Sequence, residues 1–135
     1  MAIVITNVAK GRMLQMRLNK LAPQNLVLRL YSNDHTPAVG DVAGDYTEVT
    51  GGGYAAITLD PNDWTVTEAS PATAALLEQV VAFVAAVGDV YGYFITEAVS
   101  GMLFAAERFS DGPYDVQGIA EIGVSIDTLD LADAA

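Results

Sequence analysis

Breaks marked by glycine, proline and small polar residues recur along most of this chain, and the apolar runs between them are short. They fall at Ser32-Asn33-Asp34, Gly51-Gly52-Gly53, Asp60-Pro61-Asn62-Asp63, Gly88-Asp89, Val99-Ser100-Gly101 and Ser110-Asp111-Gly112-Pro113. Long helices do not fit between such breaks, whereas half-buried strands do. Several of the runs also alternate with period two. Leu26, Leu28 and Leu30 point one way and Val27, Arg29 and Tyr31 the other; Ile122, Val124 and Ile126 alternate with Gly123 and Ser125. The spacing predicts about seven or eight short strands in a mainly β, antiparallel β-sandwich or jelly-roll-like fold.

One segment departs from this pattern. After the strand-like Ile3-Val4-Ile5, either Thr6 or Asn7 is placed to cap a helix over Val8 to Leu21. Met13, Leu14, Arg17, Leu18 and Leu21 would share one face, and Ala22-Pro23 would end the helix. Ala72 to Val87 is mixed, because its alanines, leucines and glutamate favour helix and its valines and Phe83 favour strand. We expect a short helical or irregular start there and a strand from about Gln79. Short strands are also expected over Tyr54 to Leu59, Trp64 to Glu68 (Trp64 and Val66 on one face), Tyr114 to Val116 and Glu121 to Ile126. Gly88-Asp89 reads as a hairpin turn and Asp127 onward as a fraying tail. The expected organisation is an N-terminal arm with a helix over 1–22, a β-sandwich domain over 23–131 and a flexible tail over 132–135.

The pair of strands in Val90-Tyr91-Gly92-Tyr93-Phe94-Ile95-Thr96-Glu97 and Met102-Leu103-Phe104-Ala105-Ala106-Glu107-Arg108-Phe109 is the most distinctive part of the chain. Tyr91, Tyr93 and Ile95 should share one face, with Gly92, Phe94 and Thr96 on the other. Its aromatic side chains are expected to pack across the hairpin rather than to stack on sugars or bases. Glu107 and Arg108 are neighbours in a strand, so each must find its partner elsewhere.

Composition narrows the function. With 52% hydrophobic and 17% charged residues the chain is too apolar to stay disordered and must bury that surface in a core or against partners. It has no cysteine and one histidine, His35, which leaves no thiolate or multi-histidine metal site within a chain. His35 reads as a solvated loop residue, and no glycine-flanked serine nucleophile accompanies it. Gly51-Gly52-Gly53 lacks the lysine and Ser/Thr of a phosphate loop. Asp41, Asp45, Asp60 and Asp63 do not follow the calcium-loop spacing and read as solubilising acids. No catalytic residue, cofactor or metal is expected, and the chain is not expected to be an enzyme. No apolar run of about 18 residues is present, so no membrane helix is expected. The first residues lack the basic start of a secretory signal, so export by that route is not expected.

Charge is unevenly placed. Lys10, Arg12, Arg17, Lys20 and Arg29 all precede residue 31, where no acid occurs; the 17 acids follow it, with Arg108 the one remaining base, for a net charge of −11. An acidic body repels phosphates, so direct nucleic-acid binding is not expected. The basic segment is expected to contact the acidic body, a neighbouring subunit or another acidic partner.

Four stretches carry a resemblance. LNKLAPQNLVLRLYSND from Leu18, GGGYAAITLDPNDWTV from Gly51, VYGYFITEAVSGMLFAAERFSDGPYDV from Val90 and GIAEIGVSIDTLDL from Gly118 together resemble a family of small structural proteins of tailed-bacteriophage virions, over roughly residues 8–131. The Val90 block is the most similar; it has Phe104-Ala105 where the family's tryptophan is expected. The resemblance implies a non-enzymatic virion component, made in the host cytoplasm and carried on the capsid exterior. It further implies a cement or decoration protein, a homotrimer that binds the major capsid protein lattice and stiffens the head. Lys10, Arg12, Arg17 and Lys20 are the candidate docking residues, and Tyr91, Tyr93, Phe104 and Arg108 the candidate subunit or capsid contacts. The alternative is a tail- or fibre-associated module binding a host glycan, which predicts exposed aromatics beside carboxylates in one groove.

Overall fold

Period-two alternation becomes strand pairing most directly in the Val90–Phe109 segment. There β7 (Gly92–Glu97) and β8 (Leu103–Arg108) form an antiparallel hairpin with Phe94 opposite Ala106 and Gly92 opposite Arg108. The computed structural model describes residues 3–130, so the flexible tail expected over 132–135 lies outside the described residues. The hairpin is the centre of a five-stranded sheet. Its other strands are β1 (Val4–Ile5), beside β8, and β2 (Leu26–Tyr31) followed by β3 (Ile57–Thr58), beside β7. A second sheet of three strands has β5 (Thr73–Phe83) between β4 (Trp64–Thr67) and β10 (Ala120–Asp130). A small two-stranded sheet joins β6 (Gly88–Val90) to β9 (Tyr114–Val116). All pairings are antiparallel.

The fold is mainly β and sandwich-like, with one short N-terminal helix, α1 (Asn7–Arg17). The principal core lies between the five- and three-stranded sheets. Leu28, Leu30, Tyr93 and Ile95 meet Leu76, Val81, Phe83, Ile122, Val124 and Ile126 there, as the alternation predicts. The opposite face of the five-stranded sheet is also covered. Tyr31, Phe94, Leu103 and Ala106 are roofed by Tyr46 from the loop after β2. Burial on both sides explains why every residue of β7 is buried. Between Ile95 and Thr96 the pairing with β8 slips by one residue, which turns Leu103 to the second core while Phe104 stays with the first.

Several expectations are corrected. Ala72 to Val87 has no helical start: β5 is strand from Thr73, paired with β10 along its length. Gly88-Asp89 is not a hairpin turn but the start of β6, opposite Val116 and Asp115. The last strand does not fray at Asp127 but continues to Asp130, with Leu129 opposite Ala74. Tyr54 to Leu59 contributes only Ile57–Thr58 to the sheet. Tyr91 packs with the second core instead of beside Tyr93, because the chain steps between β6 and β7 at that residue. The helix ends at Arg17, where Asn19 takes left-handed backbone (φ 61°) and the Lys20 N–H returns to the Gln15 carbonyl at 2.8 Å.

Candidate functional site

The helix is fixed to the sheet at its first turn. Thr6 accepts from the Ala9 N–H at 3.2 Å and donates its hydroxyl to the Leu103 carbonyl at 2.6 Å, so one side chain both caps α1 and ties it to β8. Ala9 is fully buried beneath it. This anchoring sets the roll of the helix. Ala9, Arg12, Met13 and Met16 face the sheet, and the face expected to carry Met13, Leu14, Arg17, Leu18 and Leu21 is not the buried one: Leu14 and Leu18 are 64% and 66% exposed.

Arg12 therefore points inward. Its Nε lies 3.2 Å from Oε1 of Glu97, a residue only 3% exposed, and the Ser100 hydroxyl donates to the same oxygen at 2.5 Å. Of the 6 Lys and Arg residues, two others are also used internally. Arg29 Nη1 donates to Glu48 Oε1 at 3.0 Å, and Arg108 Nη1 to Asp34 Oδ1 at 2.5 Å. Among the described residues Lys10, Arg17 and Lys20 make no ion pair. Lys10, Leu14 and Leu18 follow one another at helical spacing, with Arg17 beside them. The unpaired cations and two exposed leucines thus share the outward side of α1 and its C-terminal turn.

The remaining candidate residues do not join that surface. Tyr93 is 2% exposed and belongs to the core; its hydroxyl donates to Glu107 Oε1 at 2.7 Å. Burial, and then this bond to a carboxylate, push the Tyr93 hydroxyl far above the usual phenol range. Phe104 is partly buried and lines an open apolar groove with Ile5, Met13, Val66, Ala74 and Leu129. Tyr91 and Arg108 sit at the far end of β8 from Leu103, about 17 Å away at strand rise. There the Arg108 guanidinium lies 5.2 Å from the Tyr91 ring centre and holds Asp34. Trp64 extends the Phe104 groove, whose lining among the described residues carries no carboxylate, unlike the groove the glycan reading requires.

His35 is not a solvated loop histidine. Its Nε2 lies 2.8 Å from Asp41 Oδ2, and its ring meets Tyr46 edge-on at 4.9 Å. The same oxygen accepts from the Tyr46 hydroxyl at 2.7 Å and the Ala38 N–H at 2.9 Å, and the Tyr31 hydroxyl donates to the His35 carbonyl at 3.0 Å. Tyr46 stacks on Phe94. The loop is thereby clamped over the sheet. No serine is hydrogen-bonded to the His35 ring among the described residues, and no group of three or more His, Asp or Glu side chains there is placed to hold a metal. Asp45, Asp60 and Asp63 are engaged locally, with the Val42 N–H, the Asn62 N–H and the Gln79 amide. Nothing in the spacing of His35, Asp41 and Tyr46 announces the cluster, since it forms only when Tyr46 finds Phe94.

The cluster predicts an acid-sensitive clamp. Burial alone raises the Asp41 carboxyl, but the bonds from His35, Ala38 and Tyr46 outweigh it and hold the carboxyl below its ordinary range. A depressed folded-state value stabilises the fold above the unfolded value of about 3.9, and that contribution disappears as pH falls through the folded value. Asp41→Asn should cost about 1–2 kcal/mol at pH 7. Urea unfolding should show this gap closing below about pH 4; an equal gap at pH 7 and pH 2.5 would mean that the carboxylate is not the clamp.

Comparison with protein-family models, with curated proteins and with solved structures finds no match to this chain.

Proposed function

We propose that this chain is a non-enzymatic structural protein of a bacteriophage particle, a cement protein that binds the major capsid protein lattice from outside and stiffens the head. The reading joins the resemblance in Val90–Val116 to one observation, the outward side of α1. There Lys10 and Arg17 stand beside Leu14 and Leu18, with Lys20 in the turn that follows, none of the three in an ion pair among the described residues, on a body that is otherwise acidic. Positive charge around exposed leucines is the chemistry of a docking face for an acidic, partly apolar partner. Assembly as a homotrimer, repeated over a capsid, would let modest single contacts sum through multivalency. The open grooves supply apolar packing rather than convergent reactive groups, which suits a binding role.

Arg12 leaves the docking set because it serves the buried Glu97. Truncation of residues 1–22 is for the same reason a poor test. It would remove β1, the buried Ile3, Ile5 and Ala9, and the cation that Glu97 needs. Charge reversal at Lys10→Glu, Arg17→Glu and Lys20→Glu leaves these contacts in place. We expect unchanged far-UV circular dichroism and loss of co-sedimentation with emptied or expanded heads. A folded triple variant that decorates heads as well as the parent does would overturn the docking assignment.

A further inference from the structure

We infer that the outward side of α1 docks on the outer face of the three-stranded sheet of a second copy of this chain. The inference puts a second copy, instead of the capsid, against α1, so that head binding depends on α1 through assembly, and it rests on α1 being the docking element.

The outer face of β5 and β10 has the matching chemistry. Val80 and Val84 are 46% and 70% exposed, and Ala82 is exposed between them. Gly123 lies opposite Val80, and Glu121 opposite Ala82. The Glu78 side chain lies across Gly123, where a Cβ would fall 2.5 Å from its Oε2. An apolar stripe is therefore flanked by carboxylates, and Glu78, Glu121 and Asp127 make no ion pair among the described residues. Among the described residues, the basic side chains that make no ion pair belong to α1 or the turn after it. This basic apolar face thus matches an acidic apolar face on the same chain. The dimensions agree: α1 is about 17 Å long at helical rise, and Glu78 to Val84 spans about 20 Å at strand rise.

An alternative self-contact through the free edge of β10 has the wrong charges. Antiparallel pairing of two β10 strands about Val124 would set Glu121 against Asp127, like charges on opposed strands. The helix-to-sheet contact uses two different patches, so it forms either reciprocally in a two-fold dimer or head-to-tail in a ring or filament. The cement reading requires closure.

The test is sedimentation velocity on the full chain with two charge-reversed variants. One carries Lys10→Glu, Arg17→Glu and Lys20→Glu; the other carries Glu78→Lys, Glu121→Lys and Asp127→Lys. The parent should be oligomeric at low salt and shift towards monomer at about 0.5 M salt. Each variant alone should self-associate at least about 100-fold more weakly, and an equimolar mixture, in which both contacts are complementary again, should reassociate into one-to-one assemblies of alternating variants. Lys10→Gln, Arg17→Gln and Lys20→Gln, which adds no repulsion, should fall between parent and reversed helix. A parent that stays monomeric at low salt, a sheet-reversed variant that keeps the parent's oligomer, or a mixture that stays monomeric would each overturn the inference. If the helix-reversed variant keeps the oligomer but no longer binds heads, α1 faces the capsid; the inference then fails while the docking reading stands.

Discussion

Gly92→Ala is expected to destabilise the protein by about 3 kcal/mol, at the upper end of what one added methyl costs in a packed interior. Gly92 opens the central strand β7, with Tyr31 opposite on one side and Arg108 on the other. A Cβ there would overlap the Glu107 carbonyl oxygen and fall 2.7 Å from both Cε1 and the hydroxyl of Tyr31. Neither neighbour has room to retreat. The carbonyl belongs to β8 in the middle of the sheet. The Tyr31 ring is fully buried, held edge-on by Tyr46 at 5.0 Å and by its hydroxyl bond to the His35 carbonyl. The substitution should lower the thermal midpoint by roughly 10 °C. Gly118→Ala, where nothing lies within 4 Å of the new methyl, should stay within about 0.5 kcal/mol of the parent. Equal stability of the two variants would mean that the Tyr31 ring does not close over β7.

How legible these features were depends on whether the decisive contact is local. The β7–β8 hairpin, β2, β9 and the inward set Ile122, Val124 and Ile126 follow from alternation, because one buried face imposes period two on each strand. The same rule fails in β5. Between Leu76 and Gln79 its pairing with β10 shifts by one residue, so Leu77 and Glu78 interrupt the alternation. What remains is an alanine- and leucine-rich stretch that local propensity assigns to helix, and long pairing with β10 overrides it. The helix was legible in existence and cap but not in roll. Leucine ranks above alanine, arginine and methionine as a core residue, yet Thr6 binding Leu103 and Glu97 needing a cation turn Ala9 and Arg12 inward. The exposed basic side of α1, proposed above as a docking face, became visible only through that rotation, since Leu14 and Leu18 read as core until Arg12 takes the inward side.

Arg12→Met should cost about 3 kcal/mol, whereas Arg17→Met, on the same helix, should cost less than about 0.5 kcal/mol. Both remove one positive charge and keep a long unbranched chain, so the difference isolates what each charge faces. Arg12 faces the carboxylate of Glu97, which otherwise accepts a hydrogen bond from the Ser100 hydroxyl. Without the guanidinium that carboxylate is left buried and uncompensated, the situation in which breaking a buried pair is most costly. Arg12 is itself 24% exposed along its side chain, which places the loss at the lower end of the usual range. Glu97→Gln alone should also destabilise, because it leaves the guanidinium without its counter-charge and weakens the bond from Ser100. Arg12→Met with Glu97→Gln should therefore be less destabilising than the sum of the single changes, a coupling of at least about 1 kcal/mol in a double-mutant cycle. Chemical denaturation gives all four stabilities, and oligomer or capsid binding is read separately on the folded variants. If Arg12→Met proves as stable as Arg17→Met and binding falls equally in both, Arg12 belongs with the docking cations and the ion pair to Glu97 does not hold the helix. If stability falls and binding by the folded fraction is kept, the first basic run divides by role: Arg12 seats the helix on the sheet, and Lys10, Arg17 and Lys20 are what the seated helix presents.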